Sequence, residues 1–311
     1  MWHNIYVKIG LIGNGIHSKR IQAILKKKKL KFFLYKPEKP NYIDESKFKK
    51  LKKCNVIFII SPNNTHYEYI KKLHKDRYIF CEKPPVNNKK ELLMLKKIKL
   101  NKIFFNYNFR FMKISEIIMK KNKYKLGDLI YANLTLSHGL AKKREYKNNW
   151  RSNRKKCPKG VFEVVSIHYV DMINYLFKVK KIGKPKLLNV SKIGNSYDTS
   201  HVEIELEKQG LINIFTSYNS SYAKNLFFLF ENGIIEQRDN NIKIKGPSMN
   251  LDKKGFFKPP KIIKKININE DKDYLDSLKS SISFFLDHVK KKQIFDKKIL
   301  NCSVKSNSLI L

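Results

Sequence analysis

Short apolar runs alternate with amphipathic stretches along the first third of the chain. Five runs rich in branched and aromatic residues predict strands, at residues 5–9, 31–35, 56–60, 78–81 and 102–105. Between them, apolar residues recurring about every 3.6 positions predict helices at residues 17–25, 67–73 and 91–98. Strands that alternate with helices are typical of a parallel sheet with crossover helices.

The pattern changes after residue 111. A helix at 115–121, a strand at 129–136 and a helix from about 160 to 177 come first. Alternating apolar and polar positions then predict further strands at residues 187–190, 202–206, 212–217, 226–230, 234–237 and 242–245. Glycine turns such as Lys208-Gln209-Gly210 suit hairpins between them, and a last helix is predicted at 274–289. The alternating segments and hairpin turns predict that this half of the chain forms an antiparallel sheet.

The length of 311 residues is better suited to two domains than to one core. We predict an α/β protein with an N-terminal Rossmann-type parallel sheet in residues 1–118. The C-terminal part, residues 119–311, is predicted to be an α+β domain with a mostly antiparallel open sheet.

The formal net charge is +40, from 66 Lys and Arg against 26 Asp and Glu. Clustered cations would indicate a nucleic-acid or anionic-membrane surface. Here the lysines are scattered as short pairs, such as Lys49-Lys50 and Lys180-Lys181. The scatter favours a solvated surface, so a nucleic-acid partner is not expected. A cationic surface would still steer anionic substrates inward.

Membrane and metal sites are also not expected. No apolar run approaches the roughly 20 residues that a membrane span needs, and the N-terminus does not have the pattern of a signal peptide. Four widely spaced cysteines form no Cys-x-x-Cys pair, and no histidine pair has metal-ligand spacing. These features are typical of a cytoplasmic protein with reduced thiols.

Three loops at predicted strand ends carry the candidate chemistry. The first has glycines at Gly10, Gly13 and Gly15 where a strand turns into a helix. Such a turn lets the backbone, here Gly13, Asn14, Gly15 and Ile16, approach a pyrophosphate at the helix N-terminus. The second is the loop 61–66. Parallel strands end at one edge of the sheet, so these loops would meet there and bind a dinucleotide.

The residue after the second strand bears on cofactor choice. An acidic side chain usually accepts hydrogen bonds from the ribose at this position, but the chain has Lys36. A lysine pairs with a 2′-phosphate, which favours NADP weakly over NAD. Alternatively Lys36 is one more surface lysine, and Glu38 substitutes for the acidic residue.

The third loop, Glu82-Lys83-Pro84, is the catalytic candidate. A lysine at the carboxyl end of a strand can hold a substrate hydroxyl and stabilise developing negative charge. His168, on a predicted helix, is a candidate acid/base or substrate-orienting group; the alternative is a histidine that only packs in the core.

Together these residues resemble the Gfo/Idh/MocA family of oxidoreductases, from about Ile9 to Asp171. The resemblance implies NAD(P) bound by the glycine turn, by Ser61, Pro62, Asn63 and His66, by Glu82 and Lys83, and by Arg110. It implies that Lys83 and His168 are catalytic, and that Trp150, Arg151 and His168 contact substrate. Members act on hydroxyl carbons of sugars, cyclitols and related compounds, and often form oligomers through the C-terminal sheet.

One departure from the family pattern affects the functional hypothesis. The aspartate expected one helical turn before the histidine is Val164. The leading hypothesis is an NAD(P)-dependent dehydrogenase or reductase acting on CH–OH groups of a small polyhydroxylated molecule. The alternative is a dinucleotide-binding protein of the same fold that has lost catalysis.

Overall fold

The computed structural model describes residues 7–37, 45–246 and 251–311, and within them the chain forms two compact units. The first contains the described residues up to Asn108 together with Leu278–Leu309, and the second contains Phe109–Ser277. This division differs from the predicted boundary at residue 118. In particular, the C-terminal segment Leu278–Leu309 belongs to the first unit, where apolar side chains such as Phe285 pack on the aromatic residues of its sheet.

The first unit contains a parallel sheet with the strand order β2-β1-β3-β4-β5. Its strands are β1 Ile9–Ile12, β2 Phe32–Tyr35, β3 Val56–Ile59, β4 Tyr78–Glu82 and β5 Ile103–Asn106. The helices between them are α1 Ile16–Lys27, α2 Glu45–Lys52, α3 His66–Leu73 and α4 Lys89–Lys96. The predicted parallel sheet with crossover helices is confirmed.

The first strand lies later than predicted. The interval 5–9 was expected, of which residues 5 and 6 lie outside the described residues, and β1 occupies Ile9–Ile12. Gly10 is therefore a strand residue and not part of the turn. A Cβ atom at Gly10 would lie 2.7 Å from Leu51 Cδ2, so this glycine allows close packing against α2.

The second unit contains a sheet whose main strand order is β14-β13-β12-β11-β6-β10-β9-β7, with β8 paired to β9. Its strands are β6 Leu129–Ser137, β7 Val179–Ile182, β8 Lys186–Leu188, β9 Thr199–Leu206, β10 Leu211–Ser217, β11 Ala223–Phe230, β12 Gly233–Arg238, β13 Asn241–Lys245 and β14 Ile262–Asn267. The β6–β10 pair is parallel, and the other neighbouring pairs among the described strands are antiparallel. The predicted mostly antiparallel sheet is confirmed.

The remaining α-helices of the described residues are α5 Lys113–Met119, α6 Ile167–Leu176, α7 Glu270–Lys290 and α8 Lys297–Ile310. In the first unit, Phe285 packs edge-on against Phe58 and Phe80, with ring centroids 5.4 Å and 5.5 Å apart. No helix among the described residues combines the length and apolar content needed to cross a bilayer.

Candidate active site

The glycine turn follows β1 directly and contains one residue that must be glycine. Gly13 has φ +105°, and a Cβ atom there would lie 2.4 Å from the carbonyl oxygen of Ile60. Its N–H donates to the Tyr35 carbonyl at 3.0 Å, which ties the turn to the end of β2. Ser18 is fully buried and donates back to the Gly13 carbonyl at 2.7 Å. The turn is thus fixed by contacts with β2, β3 and α1.

The next residues are open to solvent. Gly15 is the N-cap of α1, and a Cβ atom there would meet nothing within 4 Å. Asn14 is exposed, and Ile16 is 76% exposed. The first turn of α1 has no acidic side chain. An exposed helix N-terminus whose own first turn has no acidic side chain is suited to an anion such as a pyrophosphate.

Lys36 immediately follows β2 and is exposed. Since its neighbour Tyr35 accepts the hydrogen bond from Gly13 at 3.0 Å, Lys36 lies beside the glycine turn. Glu38, the alternative acidic residue, lies outside the described residues.

The loop after β3 contains one residue whose predicted role is wrong. His66 was expected to contact the cofactor, but its side chain is fully buried even without any ligand. Its ring nitrogens lie 2.8 Å from the Pro84 carbonyl and 2.9 Å from the Ser61 carbonyl. Burial lowers the pKa of His66, against the effect of these carbonyls. The ring joins the loops after β3 and β4 and cannot reach a cofactor.

The other residues of this loop lie at the surface or just below it. Pro62 is exposed, Asn63 is half-buried, and Ser61 is 9% exposed with its hydroxyl 2.6 Å from that of Thr65.

Glu82, the last residue of β4, accepts two hydrogen bonds on one carboxylate oxygen. His17 Nε2 donates to Oε1 at 2.7 Å, and Asn106 Nδ2 donates to the same atom at 2.6 Å. The hydroxyl of Ser281 in turn donates to Asn106 Oδ1. Glu82 is therefore linked to α1, β5 and α7 at the carboxyl edge of the sheet.

These contacts keep Glu82 charged. Burial alone would raise its pKa, but the charge and hydrogen bond of His17, the hydrogen bond of Asn106 and the charge of Lys83 outweigh burial and lower it. Lys83, the next residue, is half-buried, and its peptide bond to Pro84 is cis. A fixed carboxylate thus lies beside the predicted catalytic lysine.

The chain beyond this lysine is held by the C-terminal helix. Asn307 of α8 is fully buried and pairs with Val86 in both directions: the Val86 N–H donates to Oδ1 at 3.0 Å, and Nδ2 donates to the Val86 carbonyl at 3.1 Å. Both segments belong to the first unit.

Arg110, expected to bind cofactor, pairs with a buried aspartate. It lies in the second unit, and its side chain is only 4% exposed. Its Nε and Nη2 donate to the two carboxylate oxygens of Asp171, at 2.8 Å and 2.6 Å. This bidentate ion pair holds the guanidinium inside the second unit, and cofactor binding by Arg110 stays a prediction.

His168 lies in the first turn of α6, where its ring stacks on Phe109 with centroids 4.3 Å apart. The preceding residues differ from the predicted regular helix, since Phe162–Ser166 form a π-helical turn. Such turns often occur at functional sites. Val164, at the position of the family's aspartate, is buried within it.

Trp150 and Arg151 lie in a short 3₁₀ turn of the second unit. The Arg151 guanidinium lies over the Trp150 ring, 4.4 Å from its centroid. Lys83 and the glycine turn thus belong to the first unit, while His168, Trp150 and Arg151 belong to the second.

Sequence reasoning missed His17 and Asn106. His17 stands inside the glycine motif, and Asn106 ends the predicted fifth strand. A polar residue at a strand end beside a known carboxylate would have been the signal. His17 lies 65 positions from Glu82 in the sequence, and Asn106 lies 24 positions from it. These hydrogen bonds therefore follow only from the order of the strands in the sheet.

Two family models match the chain. Residues 14–104 match "Oxidoreductase family, NAD-binding Rossmann fold", and residues 122–246 match "Oxidoreductase family, C-terminal alpha/beta domain". The chain belongs to the Gfo/Idh/MocA oxidoreductase family. Its first unit therefore contains the NAD-binding Rossmann domain of that family. No curated protein sequence gives a significant match.

Solved structures with the Gfo/Idh/MocA fold resemble the chain along nearly its whole length. A myo-inositol dehydrogenase of Corynebacterium glutamicum matches with TM-score 0.72 and 17% identity, covering 98% of this chain and 95% of its own. Levoglucosan dehydrogenase, in complex with NADH and levoglucosan, matches with TM-score 0.75 and 12% identity, and the match covers 98% of this chain and 95% of that enzyme. An inositol dehydrogenase homologue of Azotobacter vinelandii, complexed with NAD⁺, matches with TM-score 0.74 and 13% identity, and the match covers 97% of this chain and 92% of the homologue. At these identities the likeness extends to the fold alone.

Proposed function

We propose that the protein is an NAD(P)-dependent oxidoreductase that moves a hydride to or from a hydroxyl carbon of a sugar, cyclitol or related small molecule. The observation that carries this proposal is the position of Lys83. It follows β4 at the carboxyl edge of the sheet, beside a Glu82 carboxylate that His17 fixes from the first turn of the glycine-turn helix.

The residues of the glycine turn fit a dinucleotide. Gly13 makes the turn, Gly15 leaves space at the start of α1, and Ile16 offers an exposed apolar side chain. When bound, the nicotinamide would supply the acceptor or donor for the hydride. Pro62 and Asn63 would border the cofactor from the loop after β3.

The work of Lys83 is electrostatic. Its ammonium group would hold the substrate oxygen and stabilise the negative charge that develops on it as hydride leaves or arrives. Glu82 would fix the lysine backbone and contribute a steady negative charge, because its carboxylate is already held by two donors. His168, steadied by stacking on Phe109, would orient the same oxygen or exchange its proton.

Lys36 supports a weak preference for NADP. Its exposed side chain follows the residue that anchors the glycine turn. An ammonium group there can pair with a 2′-phosphate but cannot accept a hydrogen bond from a ribose hydroxyl.

The open sheet of the second unit supports a homo-oligomer. Buried and half-buried residues alternate along β12 and β13, so one face of each strand is less covered than the other. Two large apolar residues on central strands are exposed, Ile130 at 48% and Leu211 at 56%. Contact between copies would cover them.

The experiment that tests the proposed reaction is a screen for turnover. Purified protein with NAD or NADP would be mixed with sugars, cyclitols and sugar acids, and with the corresponding keto compounds and NADH or NADPH. We expect a substrate-dependent change in nicotinamide absorbance. Cofactor binding without turnover on any substrate would instead favour the catalytically degenerate alternative, to which the apolar Val164 points.

A further inference from the structure

Two side chains meet where parallel strands of the second unit end. Strands β6 and β10 run parallel with Ser137 opposite Ser217, so the next residues, His138 and Tyr218, leave the same edge of the sheet. The His138 N–H donates to the Ser217 carbonyl at 2.9 Å. The rings of His138 and Tyr218 are 5.0 Å apart between centroids.

Arg151 brings a positive charge to these rings. Its backbone N–H donates to the Asn149 side chain at 3.1 Å, and the next residue, Ser152, accepts backbone hydrogen bonds from Asn195 and Ser196 at 2.9 Å and 3.0 Å. The guanidinium is half-buried and rests on Trp150. Hydrogen bonds therefore fix the backbone of this turn at Arg151 and at the residue after it. The Arg151 guanidinium stays positively charged at any physiological pH.

The charge of Arg151 reaches several polar groups. Burial lowers the pKa of His138, and Arg151 and Lys143 lower it further. Burial raises the pKa of Tyr218, and Arg151 opposes this. Burial, together with the charges of Asp198 and Cys157, raises the pKa of Tyr146 to about 12, and Arg151 again opposes this. His138 and the tyrosines are therefore neutral hydrogen-bonding groups around one cation at neutral pH.

The neighbouring carboxylates are engaged elsewhere. Asp198 is fully buried and accepts hydrogen bonds from the N–H groups of Val190 and Ser191 and from the Thr199 hydroxyl. Glu163 interacts with the buried thiol of Cys157, and its charge and hydrogen bond help to raise the pKa of that thiol. Among the residues that the structure describes, Arg151 forms no ion pair with a carboxylate.

A second observation points to a ligand. Tyr146 is 1% exposed, and within the described part of the chain its hydroxyl has no hydrogen-bond partner; its ring centroid lies 6.1 Å from that of Tyr218. A buried polar atom normally has a partner. The surrounding segment, residues 138–156, carries eight Lys and Arg and only one acidic residue, Glu145.

We propose that Arg151, with His138 and the Tyr146 hydroxyl, binds an anionic oxygen group of the substrate, so that the substrate is an acidic sugar or polyol carrying a carboxylate or a phosphate. This rests on the proposed function, since it names the substrate class of that reaction. A guanidinium suits both groups because its paired N–H donors match their oxygens. The basic segment would draw such anions toward the site.

The test compares matched substrates and matched variants. Sugar acids, sugar phosphates and their neutral parent sugars would be assayed for KM, and binding to the full chain would be measured by calorimetry. Arg151→Gln removes the charge. Arg154→Gln is the control, because Arg154 lies three residues along, is exposed, and stacks on Tyr197 at 4.9 Å.

We expect Arg151→Gln to weaken binding of the preferred anion by at least about tenfold, the loss typical of a charge-assisted hydrogen bond. Neutral sugars should be unaffected, Arg154→Gln should behave as the unmutated protein, and Arg151→Lys should fall between. Preference for acids over phosphates, or the reverse, identifies the source of the anionic group.

A preferred substrate that is neutral, or anion binding unchanged by Arg151→Gln, would overturn the proposal even if turnover is found. Conversely, Arg151-dependent binding of an anion without turnover on any substrate would support the anion site and contradict the proposed reaction.

Discussion

Glu82→Gln should lower stability because the carboxylate accepts two hydrogen bonds from a buried position. His17 at 2.7 Å and Asn106 at 2.6 Å both donate to Oε1, and the residue is 7% exposed. Glutamine keeps an oxygen there but removes the charge, and charge-assisted hydrogen bonds are about twice as strong as neutral ones. Taking about 1 kcal/mol lost per bond, we expect a loss of about 2 kcal/mol in the free energy of unfolding.

The matched control is Glu116→Gln. Glu116 also accepts two hydrogen bonds, from Lys113 and Lys120, but its side chain is 43% exposed. We expect a loss below about 0.5 kcal/mol, as is usual for exposed ion pairs. Both variants would be measured by urea unfolding followed by circular dichroism at neutral pH. Equal losses for Glu82→Gln and Glu116→Gln would refute the idea that burial strengthens the Glu82 contacts.

The pH dependence gives a second readout of the same variant. Because the pKa of Glu82 is lowered in the folded protein, its contribution is complete above the unfolded pKa of about 4.3. It is lost as pH falls through the lower folded value. The difference between Glu82→Gln and the unmutated protein should therefore shrink as the pH falls through the acid range.

Three further outcomes follow from the structure. NADP should bind more tightly than NAD, and Lys36→Asp should reverse the order, by about one to two decades in Kd measured by calorimetry; equal affinities in the unmutated protein contradict the Lys36 interpretation. Asp171→Asn should cost about 3–5 kcal/mol in urea unfolding, because it removes the buried carboxylate that accepts from two nitrogens of Arg110; a loss below about 1 kcal/mol would show that the pair is not buried in solution. Light scattering should show an oligomer that Leu211→Glu weakens, whereas a monomer at every concentration excludes association through this sheet.

Much of the fold could be predicted because the buried strands are nearly continuous apolar runs. All residues of Val56–Ile59 are buried, and a short continuous apolar run has few structural alternatives to a buried strand. The missed elements have weaker patterns. The buried face of helix α8 includes the polar residues Ser303, Ser306 and Asn307. The sequence of this helix therefore has no regular apolar repeat that predicts it. Strand β14 is mostly exposed and is not an apolar-and-polar alternation.

Pairing partners could not be predicted from the same pattern. The alternation in Leu211–Ser217 predicts a strand, but a strand that is parallel to β6 within an antiparallel sheet has the same alternation. This pairing is what brings His138 to Tyr218.

The site was predicted best where a motif residue needs a particular backbone. Gly13 stands in a turn that only glycine fits, and Lys83 follows the strand end where the motif placed it. His66 and Arg110 are polar residues near the motifs, and their side chains pair with carbonyls or with a carboxylate. Proximity in sequence could not show that these partners bury them.

The most direct test of the central claim is turnover of Lys83→Met on a confirmed substrate. Methionine keeps the length and apolar stem of the side chain while removing the ammonium group. We predict that kcat falls at least about a hundredfold, as is typical when one donor to a developing oxyanion is lost, with cofactor affinity nearly unchanged. His168→Asn should cost less, because the residue one turn earlier, where the family has an aspartate, is Val164. Near-normal kcat in Lys83→Met would contradict the assignment of Lys83 as the catalytic residue.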